Sequence, residues 1–216
     1  MALDRDAVVR EALRVLDEVG LEGLTLRRLA GELGVKAPAL YWHFKNKQEL
    51  LDEMATTMLR DLVMKTGAPA PGEPWEKFVV GSARNLRRML LAHKDGANVF
   101  SGTYLTDDSL LEWTEFPLRV LTDAGFSLRE AVRAYSTVYA YTIGFVIEEQ
   151  AVRPRPGGPR DERYDPERRA KRIDAERHPL AAAAGEEAFS EGYDERFEYG
   201  LRLIVYGMER SLGSTR

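Results

Sequence analysis

Cysteine is absent from the 216-residue chain. That excludes disulfides, thiolate nucleophiles, zinc ribbons and iron–sulfur clusters. Histidine is scarce: His43, His93 and His178 lie far apart, so none forms the close pair of a helical zinc motif. No run reaches the ~18–20 apolar residues of a membrane span. The opening Met1-Ala2-Leu3-Asp4-Arg5-Asp6 puts charge where a secretory leader needs an apolar core. A soluble cytoplasmic protein is expected, with no metal, no cofactor and no membrane partner. Glycine-rich phosphate loops are missing as well. The adjacent Glu148 and Glu149 would point about 100° apart on a helix, a poor acid–base pair. No catalytic residue is assigned, and an enzyme is not expected.

Hydrophobic residues make up 44% of the chain and charged residues 31%, enough for a sizeable core in one or two domains. Almost every periodic segment has a helical period. Val8, Ala12, Leu13, Leu16 and Val19 form one stripe, with Asp4 as N-cap and Gly20 as stop. Thr25 opens a second short helix closed by Gly34, and Pro38 sits at the start of a third. Asn46-Lys47-Gln48-Glu49 reads as a capping box for a longer helix. Three prolines and two glycines in 67–74 mark a boundary. Beyond it come stripes through Trp75–Leu90, Asp108–Asp123, a Ser127–Glu130 capping box opening 127–150, and a last helix at 194–212. The predicted class is all-α, with a reading head at 1–48, a connecting helix at 49–66 and a second domain at 67–216. The stretch 153–178 has 15 charged residues and four prolines in 26. It is read as a mobile loop, with a flap over a pocket as the alternative.

The net charge of −4 and pI near 5.6 argue against a nucleic-acid partner when the chain is taken whole. Position changes that inference. From Gly23 to Lys47 the cations Arg27, Arg28, Lys36, Lys45 and Lys47 meet one acid, Glu32. DNA affinity depends on where cations sit relative to phosphates. Two short helices meeting at Gly34-Val35 have helix-turn-helix spacing, whose second helix enters the major groove. Thr25-Leu26-Arg27-Arg28-Leu29-Ala30, Leu33-Gly34-Val35 and Leu40-Tyr41-Trp42-His43-Phe44-Lys45-Asn46-Lys47 together resemble the DNA-binding domain of the TetR family. The resemblance continues through His93-Lys94-Asp95-Gly96-Ala97, Gly102-Thr103, Gly125-Phe126-Ser127-Leu128 and Gly200-Leu201.

The resemblance implies that Arg27 contacts guanine bidentately, geometry that suits its planar fork. It implies that Thr25, Tyr41, His43 and Lys47 touch or position phosphates, and that Lys36 meets a phosphate or a base. Ala37 and Ala39 fall at base-reading positions. There they can touch a thymine methyl but cannot hydrogen-bond a base edge. Taken alone, Tyr41, Trp42 and Phe44 fit core packing between short helices, and His43 fits a surface histidine.

For the second domain the resemblance implies a ligand pocket. Members that bind a Mg²⁺–tetracycline complex have a metal-binding histidine where this chain has Phe100, and drug-contacting Asn and Phe where it has Ser82 and Leu86. Their pocket glutamine falls near Pro117 and another histidine near Ala140, while Thr103 and the acidic Glu148 are kept. Phenylalanine has no lone pair for a metal, so the metal-dependent trigger is not expected. What remains is apolar and aromatic: Leu86, Phe100, Trp113, Phe116, Tyr139, Tyr141 and Phe145, with Ser82, Asn85, Thr103 and Glu148 as polar handles. Such a set suits a drug-sized apolar or aromatic effector, an antibiotic or related metabolite. The alternative is a plain helical core. The helices 127–150 and 194–212 have broad apolar stripes, which the resemblance assigns to a homodimer interface. The functional expectation is a ligand-responsive repressor on a palindromic operator. The alternative is a DNA-binding dimer without an effector.

Overall fold

The structure is a computed structural model that describes residues 4–154, 158–188 and 192–214. It is all-α, with no strand among the described residues. Three helices build the head: α1 (Arg5–Gly23), α2 (Leu26–Glu32) and α3 (Ala37–Tyr41). Asp4 precedes α1 without a side-chain cap bond, and Gly20 (φ 75°) breaks the helical path near its end. The Thr25 hydroxyl accepts the Arg28 N–H at 3.1 Å and starts α2. Its end is a Schellman turn: Val35 N–H bonds Ala30 C=O at 2.9 Å and Gly34 N–H bonds Gly31 C=O at 3.1 Å. Gly34 takes φ 66° there, a left-handed conformation that glycine adopts without Cβ strain. That turn sets the angle between α2 and α3.

Helix α4 (Lys47–Thr66) begins at Asn46, whose side chain accepts the Glu49 N–H at 2.9 Å. The return arm of the expected box is shifted by one residue, because Glu49 accepts the N–H of Lys45 at 2.8 Å. Helix α4, expected at 49–66 as the connecting helix, is buried from Glu53 to Leu59. One hydrophobic cluster runs from Val8, Leu16, Leu40 and Phe44 through Met54 and Leu59 to Leu86, Phe100 and Val146. Head and body therefore share a core through α4.

The body adds α5 (Trp75–Leu91), α6 (Gly96–Phe100), α7 (Leu111–Asp123), α8 (Leu128–Val152) and α11 (Tyr193–Ser214). Ser127 and Glu130 form the reciprocal box that starts α8. A second cluster joins Trp75, Val79, Leu121, Val138, Phe197 and Leu201. Gly96 allows α6 to pack tightly, since a Cβ there would lie 2.2 Å from the Leu90 carbonyl oxygen. Of the charged stretch 153–178, residues 155–157 lie outside the described residues. The rest has a 3₁₀ turn at Glu162–Tyr164 and the one-turn α9 (Pro166–Ala170). Helix α10 (Pro179–Ala188) lies where no helix was predicted. Pro179 opens it and an alanine run carries it, both favourable for a helix. Among the described residues no helix is long and apolar enough to cross a membrane.

Candidate functional site

The head exposes several cations around α2 and α3. Arg27 and Arg28 are exposed on the first turn of α2, and exposed Lys36 precedes α3. Ala37, Ala39 and His43 are half-buried, while Tyr41 is 55% exposed. Leu40 and Phe44 pack fully inside. Trp42, which taken alone fits core packing, is 90% exposed. It therefore stands in solvent next to the exposed Tyr41. Thr25 spends its hydroxyl on the α2 cap. Lys47 donates to Leu21 C=O at 2.6 Å, tying α4 to the end of α1.

The rear of α3 is held by Arg5. Its Nη1 donates to His43 C=O at 2.7 Å and its Nη2 to Glu53 at 3.1 Å, with the guanidinium 4.6 Å above the Phe44 ring. Glu53 also accepts from the Thr106 hydroxyl at 3.0 Å. A continuous polar path thus links the end of α3 to the loop after α6. A second junction lies at the end of α1. Asp95 accepts the Leu21 N–H at 2.8 Å and Asp17 accepts the Lys94 N–H at 2.9 Å. Glu53 was missed because its sequence neighbours give no hint of partners at Arg5 and Thr106.

In the body, a cavity of about 330 Å³ opens between α4, α5, α7 and α8. Five residues singled out from sequence meet there: Ser82, Asn85, Trp113, Phe116 and Pro117. Leu62 and Thr66 close it from α4, and Tyr135 from α8. Tyr135 was missed, although it lies one turn before Tyr139 on the same face of α8. Burial pushes its phenol up to about 12, against a smaller opposing effect of its hydrogen bond with Ser82. It is therefore a neutral hydrogen-bonding group throughout the physiological range. Trp113 meets Tyr135 and Tyr139 edge-on, with ring centroids 6.4 and 6.1 Å apart.

The other expected pocket residues lie elsewhere. Leu86 and Phe100 are buried in the shared core, with Phe100 6.4 Å from the Tyr139 ring. Thr103 donates to the Phe100 carbonyl at 2.9 Å, and Ala140 is exposed. Phe145 belongs to the second cluster, against Phe197 at 5.2 Å. Glu148 is exposed, and its neighbour Glu149 is the buried carboxylate. Glu149 accepts Arg87 Nε at 3.0 Å and Nη2 at 2.9 Å, while Arg87 Nη1 reaches Asp194 at 2.7 Å. Burial alone would lower the Arg87 pKa, but the hydrogen bonds to Glu149 and Asp194 outweigh it and hold the guanidinium charged. No group of three or more metal-ligating side chains occurs among the described residues.

A helix-turn-helix head fused through a shared core to a helical body with a cavity defines a transcriptional regulator. Residues 8–54 match the family described as bacterial regulatory proteins, tetR family, and residues 68–212 match the tetracyclin repressor-like C-terminal domain. The chain belongs to the TetR family and is a transcriptional repressor with a ligand-binding C-terminal domain. It is 40% identical to the class A tetracycline repressor of transposon 1721 from Escherichia coli, over 96% of this chain and 91% of that protein. Among solved structures it is similar to a possible TetR family transcriptional regulator from Streptomyces coelicolor A3(2). That likeness has a TM-score of 0.84 and 38% identity, over 96% of this chain and 100% of the other. A TetR variant from Acinetobacter baumannii AYE in complex with minocycline aligns with TM-score 0.73 and 34% identity, over 96% and 97% of the two chains.

Proposed function

We propose that this chain acts in the cytoplasm as a homodimer on a palindromic operator, released by a drug-sized, largely apolar or aromatic effector. The observation that carries the reading is where the cavity lies. Leu62 and Thr66 at the end of α4 wall it, and the same helix is tied to the head through Lys47, Glu53 and Asp61. An occupant that favours one α4 position over another shifts the spacing of the heads through that differential affinity alone. A mismatch costing about 4 kcal/mol weakens operator binding about a thousandfold. Dimer assembly is supported by Tyr199, Leu203 and Tyr206, an exposed apolar stripe along α11, with Leu128 and Val132 exposed on α8. The relatives are regulators, and no catalytic role is assigned.

The Mg²⁺–tetracycline trigger fits these residues poorly. Phe100 is a buried hydrocarbon ring, Thr103 is bonded to backbone and Glu148 faces solvent. Mg²⁺ with tetracycline is therefore expected to leave the operator complex intact in a fluorescence-anisotropy titration. Release at micromolar drug contradicts this reading. The wider proposal is tested with DNA from upstream of the chain's own gene and a panel of apolar and aromatic compounds. Some are expected to release the DNA, and Ser82→Trp, which fills the cavity, keeps DNA binding and loses the response. A complex that no compound releases favours the effector-independent dimer.

Lys47→Ala is expected to weaken binding to every DNA sequence alike and to lower the salt slope by about one. A sequence-selective loss, measured by anisotropy at several salt concentrations, contradicts its assignment to phosphate.

A further inference from the structure

A second cavity, of about 510 Å³, lies between α4 and α5 and shares Leu62, Thr66 and Asn85 with the first. Its walls are two facing stripes, 58–61–62–65 and 85–88–89–92, each the single-face spacing of a helix. Met58, Leu62 and Met89 supply an apolar lining, and thioether side chains adapt readily to a flexible guest. The polar groups at its rim are not balanced. Asp61 is committed to Arg10, which donates to it through both terminal nitrogens, with Nη2 at 2.7 Å from Oδ1. Lys65 and Arg88 are exposed and make no hydrogen bond or close ion pair among the described residues. The Asp61 carboxyl, held below its usual pKa chiefly by its hydrogen bond with Arg10, is lowered further by nearby Lys65. His93 also borders the space, with its Nδ1 3.1 Å from Asp17. The cavity thus joins an oily floor to two exposed cations, one a planar fork suited to a carboxylate. Its volume suits a small molecule.

We propose that this cavity is a second ligand site that takes an amphipathic monocarboxylate, its chain on Met58, Leu62 and Met89 and its head group between Lys65 and Arg88. A same-length alcohol keeps the apolar contact but loses the charge-assisted bonds. A same-length amine is repelled. Leu62, Thr66 and Asn85 border both cavities, but Met58, Lys65, Arg88 and Met89 line this one only, and Ser82 lines only the other.

Calorimetric titration of the full chain with octanoate tests it, with octanol and octylamine as controls. Octanoate is expected to bind once per chain, and both controls at least about tenfold more weakly. Lys65→Glu with Arg88→Glu lowers octanoate affinity at least about tenfold, and the milder pair Lys65→Gln with Arg88→Gln lowers it by less. Ala92→Trp, which fills the space, removes binding, whereas Ser82→Trp leaves it unchanged. Both cations are solvent-exposed, so the charge variants retain the wild-type circular dichroism. The proposal is overturned if wild type does not bind octanoate or if octanol binds equally well. It is also overturned if both charge pairs leave the affinity unchanged, or if Ser82→Trp abolishes binding.

Discussion

Arg27→Ala is expected to erase the distinction between operator and unrelated DNA. A bidentate arginine–guanine pair is worth about 1–3 kcal/mol of discrimination. A dimer uses it twice, so operator affinity falls by about 2–6 kcal/mol, roughly 30-fold to 10⁴-fold. Arg27 is exposed and takes part in no ion pair among the described residues. Stability therefore changes by no more than about 0.5 kcal/mol, and the loss belongs to recognition. Anisotropy on operator and scrambled DNA separates the two affinities. If both match wild type, Arg27 does not read the base.

Glu149→Ala is expected to have the largest effect on stability. It leaves the Arg87 guanidinium near the Phe145 and Phe197 rings with the exposed Asp194 as its remaining hydrogen-bonded acidic partner among the described residues. Breaking one side of a buried pair costs about 3–5 kcal/mol. Asp194 retains part of the charge balance, so the low end, about 3 kcal/mol, is expected. For a chain of this size that lowers the melting temperature by about 6–12 °C. Arg87→Leu with Glu149→Leu removes both charges and recovers most of the loss. A melting temperature within 2 °C of wild type (~0.5–1 kcal/mol) for Glu149→Ala contradicts the account.

The contrast between Glu148 and Glu149 shows where sequence reading stops. Both lie on α8, and only the rotation of that helix against α5 and α11 decides which faces Arg87. Local signals were legible because their physics is local: the Thr25 cap, the Gly34 turn and the Ser127–Glu130 box all form as read. The Asn46 box formed by half, since the Glu49 carboxylate found the Lys45 N–H instead. Pocket membership was harder, because aromatic residues cover more than one face of α8. Tyr135 and Tyr139 turn toward Trp113, while Phe145 turns toward Phe197. Burial of Glu53 depends on Arg5 and Thr106, 48 and 53 residues away. No sequence window contains those partners. The cationic stretch on an acidic chain was legible, because residues 23–47 carry five cations against the single acid Glu32.

Selection of bound fragments from random DNA by the full-length protein tests the central claim most directly. The account predicts an inverted repeat whose half-site centres lie one helical turn apart, about 10–10.5 base pairs or 34–36 Å, or a multiple of that spacing. Enrichment of a single unsymmetrical site, or of no shared sequence, contradicts it.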